Sequence, residues 1–312
     1  MHTTLPLFVL LLMLSLCARR VGGFSSSAGF SSFARIDSLQ NPQVKHLAKL
    51  QSSSRHVKKS GVTILEGIKN MRDVLSSPRT RRFVQTIYLR EDCVDALGGL
   101  LEGIETVLVT PEINKKISGV KTPQGAMCVC SVPDPLPALS QDCFVLILDS
   151  VSDPGNVGTL LRSLVAFTGG GIVVPFGDTA NIYSPAVVRA SAGACFRLDG
   201  VVEGVGRSFR EIVDSVSGSV VVASMLTDHN DGETTESSSM SFSALSAAAL
   251  KPRGLILGNE GNGISDEVKA LVRDKVIVQT HVPMAQESVE SLNVGVVGSI
   301  IMREIISSSS SS

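Results

Sequence analysis

Between residues 144 and 279 the chain alternates short unbroken apolar runs with longer amphipathic stretches. The runs are FVLILD (144–149), GIVVP (171–175), VVVASML (220–226), GLILG (254–258) and KVIVQ (275–279). A strand that is apolar on both faces has no solvent side, so this pattern predicts an α/β unit whose parallel sheet is covered by helices on both faces. Upstream, helical periodicity (Val44 to Leu50, Gly67 to Leu75) mixes with short strands (Val62 to Leu65, Thr86 to Leu89, Thr106 to Val109, Ala126 to Cys130), which predicts a small α/β domain over 37–131. Residues 132–139, VPDPLPAL, hold three prolines in eight positions and suit neither helix nor central strand, so 132–141 reads as a linker to a parallel-sheet domain at 142–306. Asp228 to Ser241, polar and acidic, reads as a loose surface excursion.

The ends break the pattern. Leu5 to Cys17 is an apolar core of signal-peptide length, too short to span a bilayer, and Arg19 and Arg20 follow it. Residues 22–35, rich in serine and phenylalanine and free of acid, have the composition of an organelle transit peptide. Together 1–36 resemble the two-part presequences of algae with secondary plastids, which makes a plastid the favoured destination, with a mitochondrion as the alternative. No membrane association is expected of the mature chain. The serine run 307–312 is expected to be disordered.

Composition changes the picture in one place. With 43% hydrophobic residues, 28 glycines and 18% charged residues, the 312-residue chain supports packed cores rather than disorder. Its net charge of −1 offers no global attraction to nucleic acid, yet residues 41–90 hold eleven basic side chains against two acidic ones. That local excess of nine positive charges reads either as a solvated basic face or as a local electrostatic footprint for nucleic acid, with Arg55, Lys58 and Lys59 as candidate contacts. The six cysteines form no CxxC pair and the five histidines show no ligand spacing, so no metal site is expected. Cys128 and Cys130 alternate within an apolar run and read as small buried side chains on one strand face.

Three loops follow predicted strands, where ligands of parallel sheets bind. The first, residues 152–158, leads through a Pro-Gly turn into a helix carrying Asn156 and Arg162; from these residues alone, Asn156 could be a helix cap and Arg162 a solvated side chain. The second, LGNEGNGI (257–264), sets Glu260 among three glycines and could be a plain glycine turn. The third runs through Val282, Met284, Ser291, Leu292 and Asn293 into a helix whose Gly295, Gly298 and Ser299 suggest close packing against another backbone. No strand leads into GxGxxG, which counts against a nicotinamide-dependent oxidoreductase.

Taken in order, DPGNVGTLLR, LGNEGNGI and VPM…SLNV resemble the three motifs of the SpoU (TrmH-type) RNA 2′-O-methyltransferases of the SPOUT superfamily. Asn41-Pro42, Ile64 to Gly67 and Thr122 to Gly125 look like the L30e-like RNA-binding domain that many members carry, and Tyr183 to Phe196 looks like the family's helix between the first two motifs. The resemblance implies a deep trefoil knot near the C-terminus, S-adenosylmethionine as methyl donor, a homodimer that completes the site, and RNA as substrate, ribosomal RNA favoured over transfer RNA. A non-catalytic RNA-binding module on the same fold is the alternative. By the same resemblance Gly258, Val282 and Leu292 hold the donor's adenine and ribose, with Met284 beside them. Arg162 matches the catalytic arginine, and Asn156, Glu260, Ser291 and Asn293 match polar residues grouped around it. The segment AQESVE between Met284 and Ser291 departs from the family's usual length, and Gly295 stands where a serine is common.

Overall fold

The structure, a computed structural model, describes residues 33–140, 142–216, 218–223, 239–241, 252–283 and 292–310. Most of the expected presequence, residues 228–238 of the polar excursion, and Met284 and Ser291 of the third loop lie outside the described residues.

Two sheets carry the fold. The first is built from β1 (Ala34–Ile36), β2 (Val62–Glu66), β3 (Val84–Leu89), β4 (Glu105–Val109) and β5 (Ala126–Ser131), in the order β1-β4-β3-β5-β2. β5 runs antiparallel to both β2 and β3, while β3 and β4 are parallel. Helices α1 (Pro42–Ser52), α2 (Ser54–Ser60), α3 (Ile68–Leu75) and α4 (Pro111–Ile117) belong to this half. α1 starts where Asn41 Oδ1 accepts from the Gln43 N–H at 2.8 Å and Pro42 takes the first helical position, where a missing N–H costs nothing. Its Val44, Leu47 and Leu50 pack with Ile113 and Ile117 of α4 against Ile64 and Met127 of the sheet. On β5 the Cys128 and Cys130 sulfurs lie 3.6 Å apart, both fully buried, as the alternation predicts.

The second half contains β6 (Val145–Asp149), α5 (Pro154–Thr168), β7 (Ile172–Phe176), α6 (Pro185–Ala190), β8 (Gly200–Val201), α7 (Phe209–Ser215), β9 (Ser219–Ala223), β10 (Ser239–Ser241), β11 (Pro252–Leu257), α8 (Asp266–Arg273), β12 (Val278–His281) and α9 (Val294–Ser310). Among the described residues its seven strands are ordered β10-β12-β9-β11-β6-β7-β8, and every pairing between them is parallel. The sheet is therefore of the doubly covered kind that the apolar runs predict, with Val145, Ile147, Val174, Val222 and Ile256 in its core.

Several expectations need correction. Residues 34–36, placed in the presequence, form edge strand β1, with Ile36 buried and Arg35 held by Asp37 and Glu91. The last three residues of the excursion form edge strand β10. The fifth apolar run becomes strand only from Val278, because Lys275 at φ +57° turns the chain after α8. The helix expected over 183–196 stops at Ala190, where Ala192 (φ +52°) and Gly193 (φ +79°) adopt left-handed backbone. The serine tail continues α9 to Ser310, and the Ser307 and Ser308 hydroxyls donate to the carbonyls of Arg303 and Ile305 inside the helix.

The turn after α6 also joins the two halves. A Cβ on Gly193 would stand 3.0 Å from Val74 Cγ2 and 3.4 Å from Leu65 Cδ1, so the glycine lets α3 and β2 approach. The Phe196 ring sits 5.8 Å from that of Phe83, and Arg79 pairs with Asp199 at 2.7 Å. Cys195, fully buried at this joint, has its thiol pushed up to about 12 by burial, which makes it an unreactive packing group.

Candidate active site

The carboxyl end of β6 starts the site. Asp149, only 3% exposed, accepts from the Ser265 N–H at 2.7 Å, which ties the strand end to the far side of the second loop. Ser150 follows in the left-handed region at φ +61°, a conformation a serine holds only when its surroundings dictate it. Its carbonyl accepts from Asn259 Nδ2 at 2.8 Å. Asn259 in turn pairs its backbone with Gly263 in both directions, and its Oδ1 accepts from the N–H groups of Gly261 and Asn262. One asparagine thus folds the glycine loop and fastens it to the first loop. In the sequence these roles of Asp149 and Asn259 are marked only by an acid ending an apolar strand and an Asn two residues before a glycine, the pattern of an Asx turn.

Gly258 is required by the same fold-back. A Cβ there would lie 2.5 Å from the Gly263 carbonyl oxygen and 2.8 Å from the Ile264 nitrogen, both backbone atoms that cannot move aside cheaply. The order GxxGxG is therefore a loop folded upon itself rather than a dinucleotide turn.

In the first loop Asp153 caps α5, accepting from the Asn156 N–H at 2.8 Å, so the capping role left open for Asn156 belongs to Asp153. The Asn156 side chain is free to cross to the other loops. Its Nδ2 donates to Glu260 Oε1 at 2.6 Å, and its Oδ1 accepts from Asn293 Nδ2 at 2.8 Å. The direction of this chain is fixed at one end: Asn293 Oδ1 accepts from the Gly295 N–H at 2.8 Å, which leaves its nitrogen as the donor to Asn156. The run Asn293–Asn156–Glu260 joins all three loops.

α9 lies close on α5 beneath this run. A Cβ on Gly298 would come within 2.4 Å of Leu160 Cδ2 and 2.5 Å of Leu257 Cδ1, and the Ser163 and Ser299 hydroxyls meet at 2.7 Å. The small residues of this helix do permit close packing, but against side chains rather than another backbone.

Arg162 stands apart. Six residues along α5 from Asn156, it lies roughly 9 Å along the helix axis and about 120° around it. It is exposed and makes no hydrogen bond or ion pair among the described residues, while Asn156, Glu260 and Asn293 bond to one another. Gly258 and Val282 directly follow β11 and β12 of one sheet, which have β9 between them, and Leu292 directly precedes Asn293; Val282 and Leu292 are half-buried.

The basic segment divides in two. Arg79, Arg81 and Arg90 are committed to Asp199, to the carbonyls of Leu100 and Glu102, and to Asp92, and Arg82 covers the Phe83 ring at 4.8 Å. Arg55, Lys58 and Lys59 are exposed on α2 without an ion pair among the described residues, as are Lys45, Lys49, Lys69 and Arg72. The available positive face is thus smaller than the sequence count.

Known proteins match this arrangement. The model of the SpoU rRNA Methylase family matches residues 143–303, and that of the MRM3-like substrate binding domain matches residues 41–128. The 23S rRNA (guanosine(2553)-2′-O)-methyltransferase RlmP of Bacillus subtilis is 27% identical over 270 residues, covering 86% of this chain and 97% of its own. The mitochondrial rRNA methyltransferase 3 of Homo sapiens is 35% identical over 150 residues, 45% of this chain and 34% of its own, so the chain spans about a third of that relative. An AdoMet-bound rRNA methyltransferase from Sinorhizobium meliloti shares the fold with a TM-score of 0.67 at 23% identity, covering 88% of this chain and 97% of its own. With one family model matching more than half of its residues, the chain belongs to the SpoU rRNA methylase family and is an S-adenosylmethionine-dependent RNA 2′-O-methyltransferase.

Proposed function

We propose that the substrate is ribosomal RNA of an organelle, methylated on a ribose 2′-hydroxyl at the three joined loops. The observation that carries this reading is the hydrogen-bonded run Asn293–Asn156–Glu260 at the carboxyl edge of the parallel sheet, with Arg162, on the same helix as Asn156, unpartnered among the described residues. The relatives support ribosomal RNA, and the human relative together with the transit-like composition of residues 22–35 supports an organelle, a plastid in the first place.

The donor fits the residues present. Gly258 offers backbone where no side chain fits, and half-buried Val282 and Leu292 supply apolar surface suited to a flat purine; Met284 and Ser291 would complete the loop. When bound, the donor supplies a methyl group already activated on a sulfonium, so the chain must align more than activate. A guanidinium offers five N–H donors and no acceptor and is poorly suited to act as base, so Arg162 anchors the phosphate beside the target ribose and polarises the hydroxyl. Asn156, Glu260 and Asn293 hold the loops in register for that alignment. Arg55, Lys58 and Lys59 contact the RNA backbone from an L30e-like small domain. The knot and the homodimer belong to the same reading; Val296 and Ile300, 45% and 39% exposed and four apart on α9, are apolar surface that a second copy would cover.

Incubation of the protein with tritiated donor and, in parallel, bulk ribosomal RNA and bulk transfer RNA, followed by mapping of 2′-O-methyl sites, tests the proposal. Label on one ribosomal position is the expected result. Donor binding with label only on transfer RNA would overturn the substrate, and donor binding without any transfer would point to a non-catalytic module.

A further inference from the structure

The two motifs of the small half that resemble the family's N-terminal domain, Ile64 to Gly67 and Thr122 to Gly125, are far apart in sequence but meet in space. The Gly67 N–H donates to the Ala126 carbonyl at 3.0 Å, and Gln124 Oε1 accepts from the Ile68 N–H at 3.1 Å. Between them opens a cleft of about 310 Å³, and its far wall is Arg189 of α6, a residue of the other half. The cleft is at the small end of ligand pockets, which run from about 300 to 1,000 Å³, and suits one nucleotide rather than a duplex.

Its chemistry is unequal. Glu66, 6% exposed, is fully occupied: its oxygens accept from the Ser118 hydroxyl, the Gly119 N–H at 3.0 Å and the Gln51 amide at 3.4 Å. Neither Lys69 nor Arg189 forms an ion pair with it or with any other described carboxylate, and the Thr122 hydroxyl and Gln124 Nε2 have no hydrogen-bond partner among the described residues. Two cations from different halves therefore face one cleft with unused neutral donors between them. Through α6 the cleft is also linked to the helix that carries Asn156. Arg189 neighbours Ala190, and a Cβ on Gly158 would lie 2.4 Å from Ala190 Cβ; Gly158 is two residues past Asn156.

Resting on RNA as the substrate, we propose that this cleft is a second RNA subsite: it takes a single unpaired nucleotide of the substrate strand, its phosphate between Lys69 and Arg189 and its base edge on Thr122 and Gln124. It differs in place from the basic face of α2. Lys58 and Lys59 lie near the start of β2 and the cleft at its end, about 13 Å away along the strand. A nucleotide held here would fix the RNA against both halves at once and so set which ribose reaches the loops.

The test uses the full chain with a 5′-fluorescein-labelled twelve-nucleotide oligouridylate, read by anisotropy over a salt series, and a 4-thiouridine version for photocrosslinking. Lys69→Gln with Arg189→Gln should weaken binding about tenfold at low salt and make the slope of log Kd against log salt shallower by about 0.7, the value for one phosphate on a single strand. Crosslinks should fall within 67–70 or 122–124. Unchanged affinity and slope in the double variant, or crosslinks confined to α1 and α2, would overturn the subsite. Should Arg189→Gln fail to fold, Lys69→Gln, an exposed change, and the wild-type crosslink decide alone. Wild-type protein that binds donor but no RNA would instead sink the substrate reading itself.

Discussion

Around the three loops, Asn156, Asn259, Glu260 and Asn293 direct their side-chain polar atoms at one another or at loop backbone, whereas Lys45, Lys49, Arg55, Lys58, Lys59 and Lys69 of the five-stranded half meet no carboxylate among the described residues. Partnered groups define a fixed geometry and expose little unmet charge. Unpartnered cations define little geometry and keep their charge for an external anion. The difference separates a region built to hold atoms in place from one built to attract a polyanion, and Arg162 is the point where they meet: a cation, unpartnered among the described residues, on the helix that starts the fixed network.

Breaking that exception should have the largest effect. Arg162→Ala is expected to lower kcat by about 10²- to 10³-fold, the usual loss for one transition-state contact, with donor affinity by calorimetry within twofold of wild type. Loss of donor binding would move Arg162 into the donor cradle. Gly258→Ala comes next, because its Cβ would press on the Gly263 backbone; a strain of about 1–3 kcal/mol corresponds to roughly 5- to 150-fold weaker donor binding. Normal donor affinity in that variant would show that the loop does not form the cradle.

Asn156→Ala removes one partner each from Glu260 and Asn293. With both groups partly solvated the loss belongs at the low end of about 1–3 kcal/mol, or roughly five- to tenfold in kcat/KM. Asn156→Asp sets a second carboxylate against Glu260 and should lose more than the alanine variant; the reverse order would mean that Glu260 is not held by this contact. On the basic face, Lys58→Gln with Lys59→Gln should leave donor binding intact and make the salt slope of RNA binding shallower by up to about 1.4, and an unaltered slope would remove α2 from the interface.

The smallest effect concerns pH. His46, in hydrogen-bond contact with His56 at 3.1 Å, is held below the usual histidine value by burial first, then by His56 and Lys49. A lowered folded value means that the unfolded chain binds the proton more readily, so stability is full above about pH 6.5 and declines as pH falls toward the folded value. Tm should drop between pH 7 and 5.5, and His46→Gln should flatten that drop; an equal drop in the variant would assign it to other groups.

Sequence legibility followed the range of the forces involved. Apolar runs such as 144–149 and 254–258 announced β6 and β11 because burial on both faces is a property of the run itself. Strands β1, β8 and β10, two or three residues long, left no periodicity to read. The break after Ala190 was hidden because an alanine, Ala192, takes left-handed backbone there, which residue type does not announce, just before Gly193 closes on Val74 and Leu65 of the other half.

Within the site, the order of the three loops, the glycine at 258 and the presence of Asn156, Glu260 and Asn293 were set by the sequence alone, since local turn chemistry and motif order are carried by neighbouring residues. Only the tertiary structure decided that Asn156 spans to Glu260 and Asn293 rather than capping its own helix, that Asn259 binds the loops together, that four of the eleven basic residues are structural, and that Lys69 and Arg189 share one cleft. These are contacts between residues up to more than a hundred positions apart, fixed by strand order and helix packing, and no local pattern records them.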